Sequence, residues 1–175
     1  NNLAIKGVAE GYAPAECHLI TSATEHKAVL DPCNYLHAKG YPLSILKPDA
    51  DGVISVPAVA AAITEHTRLV SIMAVNNETG VCNPIAEIGA LCAAQGILFH
   101  VDAAQAIGKM PLDVDSAQIS LLSMSAHKFY GPKGIGALYV RRRSPLDLVA
   151  QIHGGGHERG MRSGTLPTHQ IVGIG

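Results

Sequence analysis

The feature that most constrains this chain is an alternation of short apolar runs with longer helical patterns. "HLIT" (18–21), "LSILK" (43–47), "RLVSIMAV" (68–75), "ILFHV" (97–101), "ISLLSMS" (119–125) and "GALYVRR" (136–142) predict strands. Between the earlier ones lie helical patterns, "KAVLDPCNYLHAKG" (27–40), "PAVAAAITEHT" (57–67) and "PIAEIGALCAAQG" (84–96), and "NNLAIKGVAEGYA" (1–13) reads as a helix already under way. Runs such as "LVSIMAV" are apolar at successive positions, so both faces of the strand need cover. Parallel strands also need crossovers, which the helices supply. The expected fold is an open, mainly parallel α/β sheet with helices on both faces. Locally, Gly40 is placed as a helix C-terminal cap, and Asp31-Pro32 as an N-cap and first turn, because proline is excluded from a helix interior.

At 175 residues the chain is long enough for one core, and with 47% hydrophobic residues, no tryptophan and two phenylalanines that core is aliphatic. A formal charge of -1 argues against a polyanion-binding protein, and the basic run Arg141-Arg142-Arg143 reads as a solvated strand end. Cys17, Cys33, Cys82 and Cys92 form no CxxC pair and are expected to be free thiols in a reducing compartment. No apolar run approaches the roughly 18 residues of a membrane span, and no secretory pattern opens the chain, so a soluble intracellular protein is expected. The missing initiator methionine and the apolar "HQIVGIG" at the end suggest an excerpt of a longer chain, with residues 1–175 as one partial domain.

In an open parallel sheet ligands bind outside the carboxyl ends of the strands. "NNETG" follows the third predicted strand, "DAAQA" the fourth and "AHKFYGPKGIG" the fifth. Lys128, at a desolvated strand end, can be a nucleophilic amine able to hold an aldehyde, or an ordinary loop lysine. Asp102 can cap the helix expected at "AAQA" or keep a pyridine nitrogen protonated. Gln105 can return to the same side and donate to a phenolic oxygen, or sit on a helix surface. His26 can stack on a flat cofactor and exchange protons, or be a structural histidine. Asn77 heads the glycosylation-like triplet Asn77-Glu78-Thr79, but an amide at the sheet mouth is the better use for it. Ser125 and His127 offer a hydroxyl and an imidazole to phosphate oxygens.

"GPKGIG" lacks the spacing of a dinucleotide loop and precedes a strand, and no Walker-type phosphate loop is found. "HGGGHERGMRSGTLP" (153–167) reads as an anion-facing or subunit-contact loop in preference to a His153–His157 metal site.

Taken together, "TEHKAVL", "VNNETGV", "HVDAAQAIGK", "SMSAHKFYGPKGIGALYVRR" and "GGGHERGMRSGTLP" resemble the cysteine desulfurases, in particular the IscS-like branch, in order across nearly all 175 residues. The resemblance implies a partial large domain of a fold type I pyridoxal 5′-phosphate (PLP) enzyme, usually a homodimer. Lys128 matches the lysine bonded to the cofactor aldehyde, Asp102 the partner of the pyridine nitrogen, and Gln105 the contact of the ring hydroxyl. His26 matches the histidine stacked on the ring, and Asn77 the asparagine near the ring oxygen and substrate carboxylate. Ser125 and His127 match phosphate contacts, and Thr165 a threonine reaching the phosphate of the neighbouring subunit.

The implied substrate is L-cysteine, converted to alanine and persulfide sulfur for iron–sulfur scaffolds and tRNA-thiolation carriers, in the cytoplasm or an organellar matrix, without direct nucleic-acid or membrane contact. The resemblance places the sulfur-accepting cysteine, the substrate-carboxylate arginine and the small domain beyond residue 175. It places a glycine-threonine phosphate loop upstream of residue 1. A selenocysteine-acting or aminotransferase relative, or a non-catalytic fragment, are the alternative readings.

Overall fold

A computed structural model describes residues 1–142 and 147–175. In chain order the elements are α1 (Asn2–Ala9), β1 (His18–Ser22), α2 (Lys27–Ala38), β2 (Leu43–Leu46), α3 (Val56–Ala62), β3 (Thr67–Ser71), α4 (Ile85–Ala94), β4 (Leu98–Asp102), β5 (Leu121–Ser125), β6 (Gly136–Val140) and α5 (Thr168–Ile174). The strands form one six-stranded sheet in the order β2-β1-β3-β4-β5-β6, parallel except for β6, which runs antiparallel along β5.

The period-2 geometry of a strand explains why the apolar runs are continuous. Leu19, Leu69 and Leu121 point to one face, where they pack with Ile5 and Val8 of α1 and Val29, Cys33 and Leu36 of α2. Their neighbours Ile20, Val70, Phe99, Val101 and Leu122 point to the other, against Val59 of α3 and Ile88 and Cys92 of α4. Helices on both faces are therefore as expected.

Three local expectations are corrected. Asp31-Pro32 is not the start of a helix: α2 begins at Lys27 and carries Pro32 inside it, capped by the His26 side chain. The ring removes the donor that would have met the Ala28 carbonyl, but residue 28 is exposed and its carbonyl can turn to water. The helix expected over 57–67 ends at Ala62, where Ile63 is extended and Thr64 N–H turns to the Thr67 hydroxyl. Arg141 is not a solvated strand end: its guanidinium donates to the Ile119 and Val114 carbonyls and pairs with Asp115 at 2.7 Å. Arg142 is exposed, and Arg143 lies outside the described residues. Gly40 closes α2 as expected, with a left-handed φ of 95° and its N–H on the His37 carbonyl.

Candidate functional site

The sheet order reverses at β1: the chain leaves it to one side for β2 and returns on the other as β3. The carboxyl ends of β1, β3, β4 and β5 then stand side by side, which is where an open α/β sheet offers a crevice. His26 follows β1, Asn77 follows β3, Asp102 ends β4 with Gln105 just after, and Ser125 ends β5 with His127 and Lys128 next. All but one of the expected site residues thus come to one edge. The exception is Thr165, which lies exposed in the glycine-rich segment before α5.

Asp102 is 6% exposed and accepts two N–H bonds, from Ala104 at 3.0 Å on Oδ1 and from Asn1 Nδ2 at 2.8 Å on Oδ2. That donor set suits a carboxylate. The helix expected after it is instead a series of turns over 103–110, with Ala106 and Ile107 N–H both on the Ala103 carbonyl. Gln105 is half-buried there, and its Oε1 accepts from Lys109 Nζ at 3.0 Å, leaving the amide N–H groups for another partner.

Ser125 Oγ and His127 Nδ1 are 3.1 Å apart, so the two expected phosphate contacts already form a pair. They stand at the mouth of a tight loop in which Phe129 and Gly131 N–H both reach the Ala126 carbonyl. A side chain at position 131 would bring its Cβ to 2.9 Å from Ala126 Cβ, so the loop closes only because glycine is there. Lys128 occupies the last position of the short 3₁₀ turn 126–128 and is exposed. The expectation of a desolvated amine is corrected: the turn projects Lys128 off the carboxyl edge, where no other part of the described chain covers it.

His26 is exposed, and its Nδ1 accepts the Ala28 N–H at 3.1 Å. A backbone donor on Nδ1 fixes the neutral tautomer with the proton on Nε2, so the ring caps α2 with one edge and presents the other. The structural and functional readings of His26 are thus compatible. Asn77 is exposed, with its amide on Glu78 Oε1 at 2.7 Å. Its neighbour Asn76 organises the turn, accepting Glu78 and Thr79 N–H and donating to the Thr24 carbonyl at 2.8 Å. That bond ties the loops after β1 and β3 across the reversal point.

Two of the buried titratable groups that no motif announces lie close to this edge. His100 is fully buried on β4, two residues below Asp102 on the same face, between Ser71 Oγ and Ser123 Oγ, each at 2.8 Å. The row pins β3, β4 and β5 together just beneath the site, and burial holds the imidazole neutral by pushing its pKa down to about 3. A histidine inside the run "ILFHV" was the available signal, since a buried polar group must find partners.

Because unfolded histidine takes its proton near 6.5, the stability His100 contributes is complete above that pH and is lost as pH falls toward about 3. His100→Leu is expected to lower stability at pH 7 by about 1–3 kcal/mol, through the stranded serine hydroxyls, and to make the decline between pH 7 and pH 5 shallower. Denaturant midpoints at the two pH values check both. The second missed group is Glu25, 6% exposed, with Oε1 accepting from Met73 N–H at 2.7 Å and from Ser22 Oγ at 3.1 Å.

The four thiols are free. Burial raises Cys17 to about 11 and Cys33 and Cys92 to about 12, which leaves them thiols at neutral pH. Cys92 is a core residue, whereas Cys82 is exposed beyond the Asn76 turn. In the glycine-rich segment His157 Nδ1 accepts the Gly164 N–H at 3.2 Å, and among the described residues no group of three or more metal-binding side chains converges.

A carboxylate set under one end of the crevice, a hydroxyl–imidazole pair at a tight loop and a free amine beside it fit a flat cofactor with a phosphate at one end and an aldehyde at its side. The profile of the family "Aminotransferase class-V" matches residues 1–175, and the chain belongs to that family. The family generally uses PLP. Within it, the chain is 62% identical to cysteine desulfurase IscS of Tolumonas auensis and 61% identical to that of Aeromonas hydrophila, over all 175 residues and 43% of each relative. It therefore spans less than half the length of the curated relatives it matches. The solved structure of SspA in complex with cysteine superposes with a TM-score of 0.95 at 50% identity, over 99% of this chain and 50% of that one. DndA from Streptomyces lividans superposes with a TM-score of 0.90 at 42% identity, over 99% and 50%.

Proposed function

We propose that this chain is the cofactor-binding part of a PLP-dependent cysteine desulfurase. The observation that carries the reading is the meeting of Asp102, the Ser125–His127 pair, His26 and Lys128 at one sheet edge. The 62% identity to a cysteine desulfurase over the whole chain supports it. When bound, PLP supplies an electron sink that stabilises negative charge at the substrate α-carbon.

The chain's own residues do the rest. Asp102 holds a proton on the ring nitrogen, and Ser125, His127 and the backbone of the tight loop bind the phosphate. Lys128 would hold the cofactor through its amine and would serve as the chain's own base for the substrate α-proton. His26, held at Nδ1 by the Ala28 N–H, would lie against the ring with its Nε2 edge left to exchange a proton. Gln105 offers an N–H to the ring oxygen, Asn77 an amide to the substrate carboxylate, and Thr165 a hydroxyl to the phosphate in a partner subunit of a homodimer.

Sulfur leaves to a thiolate, and Cys17, Cys33 and Cys92 are too buried to supply it. Cys82 is exposed, but the likeness to the desulfurases favours an accepting cysteine downstream of residue 175. The acceptors further on are iron–sulfur scaffolds and sulfur carriers. The test is borohydride reduction of the natural-length protein incubated with PLP, followed by peptide mapping and an alanine assay with L-cysteine. A pyridoxyl adduct on Lys128 with alanine release is expected. An adduct scattered over Lys6, Lys39, Lys47 and Lys109 would overturn the assignment.

A further inference from the structure

Glu25 is a charged residue type in a place that does not suit a charge. It sits at the reversal point, between the turn after β1 and the backbone just beyond β3, and both of its accepted hydrogen bonds fall on Oε1, from Met73 N–H and Ser22 Oγ. Oε2 is buried with no partner among the described residues. The facing titratable groups are Asp102 of β4, whose charge repels that of Glu25, and Cys33 of α2. The Asp102 charge adds to the cost of ionising a carboxyl already buried at Glu25. Oε1 is satisfied by its two donors, and a buried Oε2 without a partner costs less on a neutral carboxyl than as part of a buried charge. Asn1 Oδ1 is a second buried oxygen without a partner, on a side chain whose amide already holds Asp102.

The consequence reaches the next residue. Among the described residues, Glu25 and the Asn76–Thr24 bond are the side-chain links between the His26 turn and the segment just after β3. We propose that Glu25 is a positioning residue that acts in its neutral form: its carbonyl oxygen, held by the Met73 N–H, fixes the turn that presents His26, and its hydroxyl keeps a second negative charge away from Asp102. The proposal rests on the assignment of His26 and Asp102 to the cofactor site. Burial is the main cause that raises the Glu25 pKa from 4.5 to about 8, with the Asp102 charge adding to it and the two hydrogen bonds opposing it. The folded state therefore keeps a proton that the unfolded chain gives up, so stability falls as pH rises from 4.5 to about 8 and levels off above.

The test compares Glu25→Gln and Glu25→Ala with the parent in the natural-length holoenzyme. Glu25→Gln keeps the Oε1 acceptor and stays neutral, so its turnover at pH 7 is expected within about threefold of the parent, and its melting temperature should stop falling between pH 6.5 and 8. Glu25→Ala frees the turn and should lower kcat roughly 10–100-fold with KM little changed. Amide hydrogen exchange at Met73 and Ala28 should also speed up in Glu25→Ala, with or without cofactor.

Unchanged turnover and exchange in Glu25→Ala would overturn the proposal, as would a Glu25→Gln as impaired as Glu25→Ala, because that would mean the ionised form is needed. If Glu25→Ala does not fold, the pH slope of Glu25→Gln decides alone. Failure of the borohydride adduct to form on Lys128 in the parent would instead remove the underlying site assignment, and is read separately.

Discussion

Lys128→Ala in the natural-length protein is expected to lose roughly 10²–10⁴-fold in kcat, the range associated with a positioned proton-transfer group. It should also lose the pyridoxyl adduct on peptide 121–131. The argument is geometric. The 3₁₀ turn at 126–128 places the amine immediately after the Ser125–His127 pair, on the strand next to Asp102, with which Ser123 is in register. Three other amines are engaged elsewhere: Lys109 bonds Gln105, and Lys6 and Lys39 lie over the Tyr35 ring at 4.9 and 4.5 Å on the surface of α2. Lys128→Arg should be as impaired as Lys128→Ala, because a guanidinium remains protonated and cannot accept the α-proton. Retention of more than a tenth of the parent turnover in either variant would show that another residue carries the proton.

The second large effect is on folding and lies away from the site. Gly89, in the middle of α4, packs directly on the backbone of the segment leading to β5. A Cβ there would overlap the Ala117 carbonyl oxygen and stand 3.3 Å from Phe99 Cδ1. Neither neighbour can move freely. Ala117 lies in a turn whose N–H groups at 115 and 116 are held by the Asp113 carboxylate, and Arg141 clamps Asp115 from β6. Gly89→Ala should therefore destabilise by about 3 kcal/mol or more, against the roughly 1 kcal/mol that alanine gains in a helix. The denaturant midpoint measures it, with the exposed neighbour Ala90→Ser as a control expected to change little. An unchanged midpoint for Gly89→Ala would mean that α4 can withdraw from the turn.

What could be read in the sequence were features set by periodicity. The apolar runs announced the strands and the need for helices on both faces, and the polar clusters after them announced the site edge, because both depend on residues close in the chain. Pro32 misled because a rule about proline in helices was applied without knowing that residue 28 faces water. The sequence points to Asn77 and is silent on Asn76, since two adjacent asparagines cannot be told apart until the turn shows which one faces inward. Glu25 was invisible for a different reason. Its significance comes from the Met73 N–H just beyond β3, far along the chain, and from the charge of Asp102 on β4, and no local pattern records either. His100 left a faint trace, a polar residue in an apolar strand, but its serine partners come from the strands on either side.

The reversal of strand order at β1 also bears on how the chain assembles during synthesis. One edge of β1 is covered early by β2, but the other waits for β3, and the crevice is complete only when β5 arrives about 100 residues after β1. At the usual 5–20 residues per second that interval is roughly 5–20 s. Through it the apolar edges of β1 and then β3 stand open to intermolecular pairing. Chaperone engagement should therefore concentrate on nascent chains that end between β1 and β5, and cofactor capture must follow, not guide, the closing of the sheet.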